Sequence, residues 1–117
     1  MKLSELVNAR KTLSGILAEQ KLPFPVAYKI AKFFSATDED EKFYDNKLNE
    51  LLEQYGENTE DGKRIIPKDN VLKVNAELED LGNTEVEDCG IRFTADDFSS
   101  LNVLAKDSYA LLPIISD

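Results

Sequence analysis

Twenty-three carboxylates, one thiol and no imidazole bound the chemistry open to this 117-residue chain. Without histidine the commonest general base and metal ligand is missing, and so is every Ser-His or Cys-His nucleophile pair. Cys89 sits beside Glu87 and Asp88, whose charges raise a thiol pKa rather than lower it, so it reads as an ordinary half-buried thiol. One Cys and no His cannot make a zinc site. The carboxylates are the remaining candidates, and the densest run is Asp38-Glu39-Asp40-Glu41. On a helix, consecutive residues fan around the axis instead of converging on one ion, and the EF-hand pattern of alternating acids with Gly sixth is absent. Paired carboxylates can do acid–base work, but in so acidic a chain their proximity carries no specificity. The glycines are scattered (Gly15, Gly56, Gly62, Gly82, Gly90), which gives no phosphate-cradling loop. Trp, which often stacks on sugars, is absent. Lys63-Arg64 reads as an edge-strand charge, not an anion site. The expectation is a non-enzyme with no cofactor and no metal.

Binding chemistry is a better match to the aromatic residues. Phe33, Phe34, Phe43, Tyr44 and Tyr55 fall within one helical stretch. Phe34, Tyr44 and Tyr55 share a stripe, while Phe33 and Phe43 lie off it. One set is expected inside and the other is free to meet a partner. With the solvated acidic run, this defines a candidate interaction surface of Phe33, Phe43, Asp38, Glu39, Asp40 and Glu41.

The elements that must position these residues follow from periodicity. Leu3, Leu6, Val7, Leu13, Ile16 and Leu17 recur at three and four, predicting a helix from Ser4 to Gln20. Leu22-Pro23-Phe24-Pro25 breaks it, and Pro25 suits the first turn of a second helix. That helix, Pro25 to Tyr55, carries a heptad-like seam: Ile30, Phe34, Thr37, Glu41, Tyr44, Leu48, Leu51, Tyr55. Thr37 and Glu41 are polar seam positions, yet no Gly or Pro interrupts the stretch, so continuity is expected, with Gly56 as the stop. Asp61-Gly62 turns into a short strand at Lys63–Ile66, ended by Pro67. A third helix is expected from Lys68 to Leu81, with Val71, Val74, Leu78 and Leu81 on one face and Gly82 as its stop. Glu85 to Phe93 reads as extended and able to pair with Lys63–Ile66. Thr94 and Asp97 form a capping-box pattern for a short helix holding Phe98. Pro113 limits a terminal helix. The fold class is α+β and helix-rich: an antiparallel helical hairpin over 1–56, then a small β element and shorter helices over 57–117, as one domain.

A hydrophobic fraction of 42% is enough for a globular core, so wholesale disorder is not expected. The net charge of −9 argues against direct nucleic-acid binding and against an anionic membrane surface, and it permits a basic protein partner. An acid and an Asn near the N-terminus, the single Cys and the lack of a long apolar run point to a soluble protein kept in a reducing cell interior. A homodimer through the 25–55 helix stays open, since its seam could pair between copies or pack within one.

The order of segments resembles a family of short, uncharacterised tailed-phage and prophage proteins, the domain of unknown function sixteen-seventeen. The resemblance is carried by Lys21-Leu22-Pro23-Phe24-Pro25-Val26-Ala27-Tyr28-Lys29-Ile30, then Leu51-Leu52-Glu53-Gln54-Tyr55-Gly56-Glu57, the Asp61-Gly62 turn, Val74-Asn75-Ala76-Glu77-Leu78-Glu79-Asp80-Leu81 with Thr84-Glu85-Val86-Glu87, and Ala105-Lys106-Asp107-Ser108-Tyr109-Ala110-Leu111-Leu112. It covers nearly the whole chain, and the order of the motifs carries it. Ala105, where a Ser or Thr helix cap is expected, and Pro113 depart from the pattern. The resemblance implies a phage product in the host cytoplasm or the virion, with no catalytic residues to carry over. The expected role is non-catalytic binding to a host or phage protein, as in host takeover or anti-defence inhibition. A virion or tail-assembly component and an acidic DNA mimic are the alternatives.

Overall fold

A computed structural model describes residues 1–116. Its elements are α1 (Leu3–Glu19), α2 (Phe24–Tyr55), β1 (Glu57–Asn58), β2 (Arg64–Ile65), α3 (Lys68–Gly82), a 3-10 turn (Ala95–Phe98) and α4 (Ala105–Leu111), which runs into a second 3-10 turn (Leu112–Ile114). The architecture is α+β and helix-rich, a long N-terminal helical pair followed by a two-stranded hairpin and short C-terminal helices.

α2 is one unbroken helix of 32 residues. At 1.5 Å per residue it is about 48 Å long, and it sets the longest dimension of the molecule, 47 Å. It begins at Phe24, one residue before the predicted start, with Pro23 as its cap residue and Pro25 in the first turn, where a missing N–H costs nothing. It ends at Gly56, whose N–H donates to the Leu52 carbonyl (2.8 Å). A side chain there would collide with that same oxygen and crowd Arg64, which explains the glycine.

β1 and β2 pair antiparallel, Glu57 with Ile65 and Asn58 with Arg64. Gly62 takes the left-handed conformation the turn needs (φ 81°). Glu85–Phe93, able to pair with Lys63–Ile66 on the sequence alone, does not do so. Glu85 instead bridges Lys2, and Phe93 bridges Ile115. The 15-residue α3 lies between the two segments and carries the chain back along α2, away from the hairpin and toward both termini.

The core lies at that end. Leu3, Leu6, Ala9, Leu13 and Ile16 of α1 pack on Val26, Ile30 and Phe33 of α2, closed by Phe93, Phe98, Leu111 and Ile114. Phe93 meets Phe33 edge-on, with centroids 5.6 Å apart and planes at 81°. Leu17 and Val71, expected on buried stripes, are both 39% exposed. The Thr94 turn forms as its pattern predicts: the Asp97 carboxylate accepts the Thr94 N–H (2.9 Å) and also the Lys29 ammonium (2.7 Å). Burial acts to raise the Asp97 carboxyl, but the Lys29 and Thr94 hydrogen bonds outweigh it and hold it below the usual range. No helix among the described residues is long and apolar enough to cross a membrane.

Candidate protein-binding surface

The six candidate residues separate into three environments, because successive helical residues turn by about 100°. Phe33 leaves the candidate surface altogether: it is 1% exposed and central to the core. The angular step that takes it off the polar seam points it at Phe93 instead of solvent. Asp38 and Glu41 turn toward α1. Glu39, Asp40 and Phe43 turn outward.

The inward pair explains the polar stretch of the seam. Arg10 of α1 is 7% exposed and inserts between the helices at that level. Its Nε and Nη2 donate to Glu41 Oε2 (3.0 and 2.6 Å), and its Nη1 donates to Thr37 Oγ1 (2.7 Å) and the Phe34 carbonyl (2.8 Å). Asp38 adds a longer ion pair at 3.7 Å. The guanidinium also lies over the Phe34 ring, 4.9 Å from its centroid. Thr37 in turn donates to the Phe33 carbonyl (2.7 Å). With its donors committed in this way, Arg10 fastens α1 to α2 and leaves no fork for an incoming anion. At this level the seam is unbroken and packs against α1, with Thr37 buried and Glu41 still about a third exposed. Arg10 carried a signal in the sequence: it stands at helical spacing between Leu6 and Leu13, a charge on an apolar stripe opposite Thr37 and Glu41.

The outward residues line one wall of a groove of about 470 Å³. Ala36, Glu39, Asp40 and Phe43 form the α2 wall, and the segment from Thr84 to Cys89 forms the other. That second wall is fixed to the N-terminus: Leu3 N–H donates to the Thr84 carbonyl (2.8 Å), and Val86 N–H to the Met1 carbonyl (3.0 Å). The Met1 ammonium pairs with Glu85 (3.2 Å). Asp88 accepts from Gly90 N–H (2.8 Å) and from the Arg92 guanidinium. The Arg92 hydrogen bond first, then that of Gly90, holds the Asp88 carboxyl far below the usual range.

Phe43 remains 49% exposed over this groove. Glu39, Asp40 and Glu87 make no ion pair among the described residues. Half-exposed Cys89 lies beside them. Among the described residues, no cluster of three or more Cys, Asp or Glu is arranged to hold a metal. The arrangement presents an apolar ring with carboxylates along the groove and the Lys47 ammonium 5.7 Å from its centroid. The Glu85–Cys89 wall escaped sequence reasoning because its position depends on pairing with residues more than eighty positions away.

Compared with family models, with curated proteins and with solved structures, the chain finds no significant match.

Proposed function

We propose that this chain is a non-catalytic binding protein that takes a basic segment of a protein partner on the Phe43 groove. The supporting observation is the half-exposed Phe43 ring, already approached by the Lys47 ammonium at 5.7 Å, in a groove with Glu39, Asp40 and Glu87, carboxylates that form no ion pair among the described residues. A Lys or Arg side chain suits both parts, its stem or guanidinium plane covering the ring and its charge meeting the acids. The net charge of −9 would steer such a partner from a distance. The phage or prophage setting rests on the resemblance in segment order, and with it a role in the host cytoplasm, in host takeover or anti-defence inhibition.

Tagged protein retrieved from phage-infected cells, read by mass spectrometry, tests the reading. The expected result is one enriched host or phage protein, captured through a basic surface and lost with Glu39→Lys or Phe43→Ala. Enrichment of capsid or tail proteins in fixed copy number would replace it with an assembly role. Displacement of the partner by duplex DNA would favour the DNA mimic.

A further inference from the structure

The outer face of α2 is self-complementary. Tyr28, Lys32, Ser35, Glu39 and Phe43 follow at steps of four, three, four and four, which places them on one side of the helix. All five are exposed, and that side is opposite the seam that packs on Arg10. The charges along it are segregated. Residues 20–37 hold Lys21, Lys29 and Lys32 and no acid, and the four acids of 38–41 follow directly. Lys29 is committed to Asp97. Neither Lys32 nor Glu39 makes an ion pair among the described residues.

We infer that this face pairs with its copy on a second chain, antiparallel about a two-fold axis between Ser35 and Ala36. Each residue then stands opposite the one equally far beyond the axis. Lys32 meets Glu39 of the second copy, twice per dimer. Tyr28, which stacks with Phe24 at 6.1 Å and lies under the Lys32 ammonium at 5.2 Å, meets Phe43 of the second copy. Ser35 and Ala36, small residues, lie where the helices cross and let the backbones approach. A parallel pairing would set Lys32 on Lys32 and Glu39 on Glu39, so the charges also choose the direction. The pairing is isologous and closes at two copies. It covers Phe24, Tyr28 and Phe43, which are 79%, 55% and 49% exposed in the single chain. It deepens the proposed reading of the Phe43 surface, naming a second copy as the occupant that a basic partner must displace.

Sedimentation of the full chain over a concentration series tests it. Wild type should move from 13.2 kDa toward twice that mass. Lys32→Glu alone and Glu39→Lys alone should each weaken pairing about tenfold or more, since two contacts per dimer become repulsive. An equal mixture of the two variants should pair again as a heterodimer, because every contact regains opposite charges. That recovery also shows that both variants are folded. A wild type that stays at one-chain mass at the highest concentration, or single variants that pair as well as wild type, would overturn the inference. Partner capture is read separately: Lys32→Glu should retain the basic partner, and Glu39→Lys should lose it. Self-pairing without capture would remove the partner reading alone, and Phe43-dependent capture by a monomer would remove the dimer alone.

Discussion

The two ends of α2 carry the same kind of apolar repeat and reach different degrees of burial. At the base, Ile30 and Phe33 are covered by α1 and by Phe93, Phe98 and Leu111, and they are 0% and 1% exposed. In the arm, formed by α2 beyond Tyr44, the hairpin and α3, the seam residues Leu48, Leu51 and Tyr55 are only half-buried. Val74 is the sole large apolar side chain of α3 that is fully buried, at 4%. Helical spacing states which residues share a face, while the number of layers over that face decides how dry it becomes. An arm with one helix over its seam is expected to open locally at lower free energy than the base.

Substitutions can break this contrast at either end. Phe33→Ala is expected to destabilise by about 3–5 kcal/mol through lost burial and a cavity, whereas Val74→Ala should cost only about 1–2 kcal/mol. Urea titrations of both variants check the magnitudes, and a Val74→Ala loss well above about 2 kcal/mol would mean that the arm is as tightly packed as the base. Arg10→Ala comes next, at about 2–3 kcal/mol, because Thr37, Glu41 and the Phe34 carbonyl lose their partner together. A cycle with Glu41→Ala should show strong coupling, since each change removes the same interaction.

Asp97→Asn should cost about 1 kcal/mol at neutral pH, through the Lys29 and Thr94 hydrogen bonds. A carboxyl held low in the folded state stabilises above its unfolded value and loses that contribution as pH falls through the folded one. Wild type should therefore lose stability below about pH 4 more steeply than the Asn variant, in parallel acid titrations followed by circular dichroism. The smallest effect is at the end of the arm. Leu72 is 81% exposed, so Leu72→Asp should change stability by less than about 0.5 kcal/mol. A larger loss would show that this tip is covered in solution.

The helices were legible from the sequence because their signals are local: three- and four-residue spacing, Pro23 and Pro25 before α2, Gly56 after it, and the Thr94–Asp97 cap. The base closure was not legible, since it depends on Lys2 meeting Glu85 across most of the chain and on Phe93 meeting Ile115 past an intervening turn and helix. The candidate surface was half legible. Phe43, Glu39 and Asp40 face outward as expected. Phe33 does not, because a residue off one seam can still face a second packing layer, here the Phe93 side. The polar seam positions looked like a flaw until matched to Arg10 on another helix, a pairing that single-helix periodicity cannot express.

The role of the Phe43 groove is tested most directly by the affinity of the captured partner for wild type and for Phe43→Ala, at low and high salt. Phe43→Ala should bind about tenfold or more weakly with its helical signal unchanged, and wild-type binding should weaken as salt screens Glu39, Asp40 and Glu87. Equal affinity for both proteins, with no dependence on salt, would contradict that role.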